Sequence, residues 1–142
     1  PALKERGLML VLELHGECAT GTAMEKIVRK VDSPLVKINY DTANCIFYGN
    51  VLPEEDIDTC MADVAYLHVK DKAGAANEWN FPALGEGYVN FPRLFEKLAR
   101  AGNSAPLSVE IEFTKDGAGS LEAVNRAVSV SARYLRQAGF RL

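Results

Sequence analysis

The sequence has little surplus charge of either sign. There are 16 lysine and arginine residues against 19 aspartate and glutamate residues, for a net charge of -3, and the charges are scattered along the chain. Nucleic acids and anionic membranes are recognised by concentrated basic patches. The sequence therefore predicts no nucleic-acid partner and no membrane partner.

Long apolar stretches are also absent. None approaches the roughly 20 residues that a membrane-spanning helix needs, and the first residues, PALKERG, lack the apolar core of a secretory leader. We therefore expect a cytoplasmic protein. Because the chain starts at Pro1 and a strand pattern follows soon after, we also expect it to be part of a longer protein.

Cysteine is scarce. The three cysteines, Cys18, Cys45 and Cys60, are an odd number and show no C-x-x-C spacing. The sequence therefore predicts neither a disulfide framework nor a cysteine-bound zinc site.

The composition that remains is typical of a globular domain, with 48% hydrophobic and 25% charged residues. Short aliphatic segments bounded by glycine, proline or polar residues predict four buried strands at residues 8–14, 35–40, 64–70 and 106–113. A helical pattern follows each of them. We therefore predict a single domain, residues 1–142, made of four βα units with parallel strands and right-handed crossovers.

The start signals of the helices are visible in the sequence. Thr22 and Glu25 have capping-box spacing at the start of the first helix. Pro53 and the acidic residues after it open the second, and Asn90 is the expected N-cap of the third. The fourth helix is predicted over residues 120–139.

Each predicted strand carries an ionisable residue at or near its carboxyl end: Glu13, Asp41, His68 and Glu110. In a flat sheet with strands about 4.8 Å apart, the first and fourth would lie about 14 Å from each other, whereas a closed barrel directs all four toward its axis. Three carboxylates and one imidazole suit Mn²⁺, Mg²⁺, Co²⁺ or Zn²⁺. The prediction of a closed barrel and the prediction of a divalent-metal site therefore support each other.

Several stretches also resemble a known family. In order, VLELHGE, INYDTAN, YLHVKDK, FPALGEGYVNFPRLFEKLARAG and PLSVEIEF are similar to the last four strands and following loops of the xylose isomerase-like TIM-barrel sugar phosphate isomerases and epimerases. LHVKD followed by LGEGYVNF is the most specific part. The resemblance implies a (β/α)8 TIM barrel of which this chain supplies the last four βα units, a half-barrel. It also implies that Glu13, Asp41, His68 and Glu110 bind the metal.

The implied reaction is a metal-dependent isomerisation or epimerisation of a sugar, sugar phosphate or hydroxy-keto acid. A metal that chelates a ketose carbonyl and the adjacent hydroxyl acidifies the C–H bond between them and stabilises the enediolate. Glu13 and Glu110 then serve as acid and base for the proton transfer. The alternatives are a lyase of the inosose dehydratase type and a catalytically inactive half-barrel fragment.

The DNA-repair endonucleases that share this fold are a further alternative. They need a trinuclear zinc cluster rich in histidine and a basic face for DNA. This chain has two histidines and a net negative charge. The sequence therefore favours the isomerase over the endonuclease.

Three further residues are weaker candidates for substrate contacts. Asn44 stands where many epimerases of this family carry the histidine of a D-x-x-H motif, and it can still hydrogen-bond a hydroxyl group. His15 follows Glu13 on the same face of the strand, and Lys70, on the face of His68, could bind a phosphate or carboxylate.

Two carboxylates remain ambiguous. Glu112 lies two residues after Glu110 and faces the same side, so it is the alternative fourth ligand. Asp71 could orient His68 or begin the following loop.

The last expectation concerns assembly. Four βα units leave two strand edges unpaired, which natural folds avoid. We therefore expect either an N-terminal half-barrel or a second copy of this chain to complete the ring around a small-molecule sugar substrate.

Overall fold

The computed structural model describes all residues of the chain, 1–142. Its centre is a sheet of four parallel strands that lie side by side in sequence order. These strands are β1 (Leu10–Glu13), β2 (Val36–Asp41), β3 (Val64–Val69) and β5 (Leu107–Val109). The prediction of four parallel strands in sequence order is confirmed.

The predicted strand at 106–113 is too long. Its last residue belongs to β6 (Phe113–Thr114), which pairs antiparallel with β4 (Asn80–Phe81) in a separate two-stranded sheet. Phe113 has a φ of +62°, a left-handed conformation that a parallel strand does not contain. The backbone N–H of Glu110 still donates to the oxygen of Val69, and beyond it the chain leaves the main sheet and pairs with β4.

Three helices of ten or more residues accompany the sheet: α2 (Gly21–Val31), α5 (Phe91–Arg100) and α6 (Leu121–Gln137). The other helical segments are short, namely α1 (Ala2–Glu5), α3 (Asn44–Phe47), α4 (Pro53–Asp56) and the 3-10 turns Gly16–Cys18, Ile57–Thr59 and Met61–Asp63. The helix predicted to open at Pro53 is thus one turn of α-helix followed by 3-10 turns. None of the helices is both long and apolar enough to cross a membrane.

Side-chain caps fix the starts of the long helices. Asn90 accepts a hydrogen bond from the backbone N–H of Arg93 at 3.2 Å, as predicted. The prediction for α2 is wrong by two residues, because Thr20, not Thr22, is the N-cap and accepts from the N–H of Ala23. Thr20 has the extended backbone that an N-cap requires, whereas Thr22 is already inside the helix.

A buried carboxylate joins α2 to the sheet. Asp56 Oδ2 accepts hydrogen bonds from the backbone N–H of Gly21 at 2.6 Å and from the Tyr40 hydroxyl at 2.9 Å. A Cβ on Gly21 would lie 2.5 Å from Thr59 Oγ1, so a larger residue does not fit. This contact sets the position of α2 against β2.

Alternation along the strands separates two faces of the sheet. One face carries apolar core residues that are almost fully buried: Leu14, Ile38, Tyr40, Leu67 and Val69. The other carries polar and ionisable residues, and Asp41 on β2 pairs in register with His68 on β3. The packing of the apolar face therefore determines which side chains point into the site.

The two outer strands leave apolar side chains open to solvent. Leu8, Met9 and Leu10 lie exposed at the β1 edge, and Val109 lies exposed at the β5 edge. Next to β5 is a groove of about 330 Å³ lined only by hydrophobic residues, among them Val128 of α6. Both edges of the sheet thus have unpaired backbone flanked by apolar surface.

Candidate metal centre

Four ionisable side chains from four strands meet on the polar face of the sheet. Glu13 and Asp41 end β1 and β2, His68 lies in β3, and Glu110 follows β5 directly. One nitrogen or oxygen atom from each lies within 4.8 Å of the corresponding atom of every other. Since a flat sheet would hold the first and fourth about 14 Å apart, the sheet is strongly curved, as in a barrel.

The imidazole of His68 is at the centre of this group, which we call the four-donor cluster (Glu13, Asp41, His68 and Glu110). Its Nδ1 atom lies 3.2 Å from Glu13 Oε1, 3.0 Å from Glu110 Oε2 and 3.9 Å from Asp41 Oδ2. One nitrogen thus faces three carboxylate oxygens, an arrangement that a shared cation would favour.

Asp41 is fully buried and its two oxygens have different surroundings. Oδ1 accepts hydrogen bonds from the backbone N–H groups of Ala43 at 2.9 Å and Asn44 at 2.8 Å. Oδ2 is buried and has no hydrogen-bond partner. Burial raises the pKa of the Asp41 carboxyl group to about 7, and the nearby Lys70 ammonium opposes that rise.

Glu110 also has one free oxygen. Its Oε2 atom is buried and forms no hydrogen bond, although it lies 3.0 Å from His68 Nδ1. Leaving a buried carboxylate oxygen unpaired is unfavourable, and two in one cluster need a common explanation. A divalent cation between them would provide it, so the donor set fits a metal ion.

Glu112, the alternative ligand, lies outside the four-donor cluster. Its Oε2 atom is 2.6 Å from the Lys70 ammonium nitrogen. The structure therefore places Glu110 in the cluster and Glu112 on the lysine beside it.

Lys70 and Asn44 lie beneath the cluster and are both buried. The Lys70 ammonium contacts Glu110 Oε1 at 3.0 Å and Asn44 Oδ1 at 3.3 Å, and it is 4.5 Å from the centroid of the Phe81 ring. The Asn44 amide donates to the backbone oxygen of Leu14 at 2.9 Å. Both side chains are engaged with protein groups, and their contact with a substrate stays a prediction.

His15 is at the exposed rim of the site. Its Nε2 atom lies 3.1 Å from the hydroxyl oxygen of Tyr48, and the two rings are 4.6 Å apart. No motif in the sequence points to Tyr48 as part of the site. Since the pair joins the loops after β1 and β2, His15 has a structural partner, and its role with substrate stays a prediction.

Of the two roles considered for Asp71, the structure agrees with the one in the loop that follows β3 and not with the orientation of His68. Its carboxylate is fully buried and accepts four backbone hydrogen bonds, none of them from His68. The donors are the N–H groups of Lys72, Gly85, Gly87 and Val89, at 2.8 to 3.2 Å. Asp71 therefore organises the loop over residues 84–89 that follows β4.

Replacing Asp71 with asparagine should destabilise the protein by about 2 to 3 kcal/mol, because an amide NH₂ would face backbone donors in place of a charged acceptor. Denaturant unfolding measures the loss, and hydrogen exchange should show faster exchange at the amides of Gly85 and Gly87.

Asp58→Asn is the matched control. Asp58 pairs with Lys97 at the surface and is 58% exposed, so its replacement should change stability by less than about 0.5 kcal/mol. Equal stability of the Asp71→Asn variant and the wild type would contradict this role.

Comparison with known proteins identifies the family of this chain. The sequence profile described as xylose isomerase-like TIM barrel matches residues 1–137. The chain belongs to the xylose isomerase-like TIM barrel family. The predicted resemblance is confirmed, and the four-stranded parallel sheet is consistent with half of such a barrel.

Individual relatives of this xylose isomerase-like chain are distant. The uncharacterized protein MJ1311 of Methanocaldococcus jannaschii is 25% identical over 114 residues, which are 78% of this chain and 38% of that protein. The chain thus spans well under half the length of this relative.

Solved structures share the fold over nearly the whole chain. D-psicose 3-epimerase of Clostridium cellulolyticum, solved with D-tagatose, gives a TM-score of 0.74 at 18% identity and covers 94% of this chain and 50% of its own. The IOLI protein, solved with a zinc atom, gives 0.69 at 20% identity, covering 93% and 52%. The probable 3-DHS dehydratase AsbF of Bacillus anthracis gives 0.69 at 18%, covering 92% and 52%. The chain thus spans about half of each.

Proposed function

We propose that Glu13, Asp41, His68 and Glu110 bind a divalent metal ion, which is Mn²⁺, Mg²⁺, Co²⁺ or Zn²⁺. The observation that carries the proposal is the approach of four donor atoms within 4.8 Å of one another, with one unpartnered oxygen on Asp41 and another on Glu110. The zinc atom in the IOLI structure supports it, since that protein shares the fold.

The activity that these residues suit is isomerisation or epimerisation of a sugar, a sugar phosphate or a hydroxy-keto acid. A bound divalent ion would hold a carbonyl oxygen and the neighbouring hydroxyl group. It would thereby favour loss of the C–H proton on the carbon that carries this hydroxyl. Glu13 and Glu110 are 38% and 29% exposed, so each can remove or return a proton on substrate. Asp41 is buried and tied to two backbone N–H groups, which restricts it to binding the metal.

The remaining half of the barrel must cover the open edges at β1 and β5. An N-terminal half-barrel or a second copy of this chain would pair with both strands and bury the apolar groove beside α6. The same partner would supply the other wall of the substrate pocket, since only half of the rim comes from this chain.

The activity is tested by incubating the Mn²⁺-saturated protein with a panel of ketoses and ketose phosphates in D₂O. Proton abstraction should introduce deuterium next to the carbonyl group, and NMR should identify an epimer or an aldose–ketose pair. Absence of exchange from every substrate, with metal bound, would favour the inactive half-barrel.

A lyase reaction is the second candidate, because the probable dehydratase AsbF shares the fold. A lyase reaction can also begin with proton abstraction by a carboxylate. In a lyase the proton loss would be followed by expulsion of a hydroxyl group as water. The same experiment separates the two reactions, because dehydration gives an unsaturated product that absorbs ultraviolet light and epimerisation does not.

A further inference from the structure

Lys70 occupies a pocket of oxygen atoms beside the four-donor cluster. Its ammonium nitrogen lies 2.6 Å from Glu112 Oε2, 3.0 Å from Glu110 Oε1, 3.3 Å from Asn44 Oδ1 and 3.8 Å from Asp41 Oδ2. Carboxylate and amide oxygens are the ligands that hard divalent cations prefer. The ammonium group thus sits among donors that would otherwise suit a second metal ion.

Glu110 links the two positions. Its Oε1 atom contacts the Lys70 ammonium and its Oε2 atom faces His68 in the cluster. A carboxylate that bridges two cations in this way is the usual connection in sites with two metals about 3.5 to 4 Å apart. Here one of the two cations belongs to the polypeptide.

We propose that Lys70 is a built-in cation that fills the second cation position and so limits the centre to one divalent ion. The inference rests on the proposed function, because it assumes that the four-donor cluster binds metal. Lys70 is 2% exposed and its ammonium lies against the Phe81 ring, so the group is held in place and is not displaced by solvent ions.

The charges of the site agree with one ion. Glu13, Asp41, Glu110 and Glu112 supply four negative charges when ionised. One divalent ion and Lys70 together neutralise three of them. A second divalent ion would bring an excess of positive charge into a partly buried site and would be repelled by the ammonium group at close range.

A single ion also restricts the chemistry. Hydrolysis of phosphate esters by paired metals needs both ions to hold the attacking and the leaving oxygen. With Lys70 in the second position, this half of the barrel is suited to proton transfer beside a single Lewis acid. Lys70 would therefore exclude hydrolysis by paired metal ions at this site.

The test is a manganese titration of the full chain by calorimetry, with electron paramagnetic resonance of the saturated protein. The wild type should bind one Mn²⁺ per chain and show the spectrum of an isolated ion. Lys70→Ser, which removes the ammonium and leaves the oxygen atoms, should bind two and show a spin-coupled spectrum. Lys70→Gln, which removes the charge and keeps most of the volume, is measured if the serine variant does not fold, with the same expectation.

Lys72→Ser is the matched control. Lys72 is also buried, but its ammonium donates only to the backbone oxygens of Ala73 and Ala75, so this variant should still bind one ion. Two ions in the wild type, or one ion in the folded Lys70 variants, would overturn the inference and leave the proposed metal site intact. No ion in the wild type would remove the proposed function and the inference with it.

Discussion

Replacing Glu110 with glutamine should lower the rate of substrate proton exchange by about 100- to 10,000-fold at saturating metal, the usual loss on removing a general acid or base. Glutamine keeps the length of the side chain and one oxygen, but its amide does not accept a proton from carbon. The exchange rate is measured by NMR in D₂O, and kcat and KM are compared to separate the chemical step from binding.

Glu112→Gln is the control for this variant. Glu112 has the same chemistry two residues along the chain, and it contacts Lys70 outside the four-donor cluster. Its replacement should reduce the exchange rate far less than that of Glu110. An unchanged rate in the Glu110→Gln variant would exclude Glu110 as a proton carrier.

Replacing Asp41 with asparagine should weaken metal binding by about 100-fold or more, since even residues that only support ligands change metal affinity by 10- to 100-fold. The free Oδ2 atom faces the cluster, and Oδ1 holds the turn through the N–H groups of Ala43 and Asn44. Asparagine can keep the hydrogen bonds of Oδ1 to these two N–H groups, but it replaces Oδ2 with an NH₂ group that does not bind a metal ion. Calorimetric titration with Mn²⁺ measures the affinity.

The matched control here is Asp63→Asn. Asp63 pairs with Lys37 away from the cluster, at 2.5 Å, so its replacement should leave metal affinity within about twofold, as for surface positions far from a site. Equal Mn²⁺ affinity of the Asp41→Asn variant and the wild type would show that Asp41 is not a ligand.

The positions of the cluster residues follow from short-range rules. Parallel strands place their carboxyl ends at one edge, and alternation puts Glu13, Asp41, His68 and Glu110 on the same face. The strand pattern and the resemblance to the family are both visible in the sequence, and the family match confirms the latter. The convergence of these four side chains could therefore be predicted without coordinates.

Other features depend on contacts that local pattern does not contain. Thr20 and Thr22 are equally good caps by residue type, and Thr20 is selected because the fold starts α2 at Gly21, whose N–H binds Asp56. The end of the predicted fourth strand leaves the main sheet because Phe113 pairs with Phe81 of β4, a residue far away in the sequence.

The surroundings of the site also depend on contacts between distant parts of the chain. Alternation puts Lys70 and Glu112 each on the face of a cluster residue, but their ion pair depends on how close β3 lies to the chain after β5. Asp71 binds amides up to 18 residues away. These long-range partners determine how deeply the charged groups are buried and what shape the loop over residues 84–89 takes.

The central claim is tested most directly by anomalous scattering from crystals of the full chain soaked with Mn²⁺. We predict a peak between Glu13, Asp41, His68 and Glu110, with metal–ligand distances of about 2.0 to 2.3 Å. A peak bound by Glu112 with Glu110 turned away, or no peak at the four-donor cluster in Mn²⁺-saturated crystals, would contradict the account.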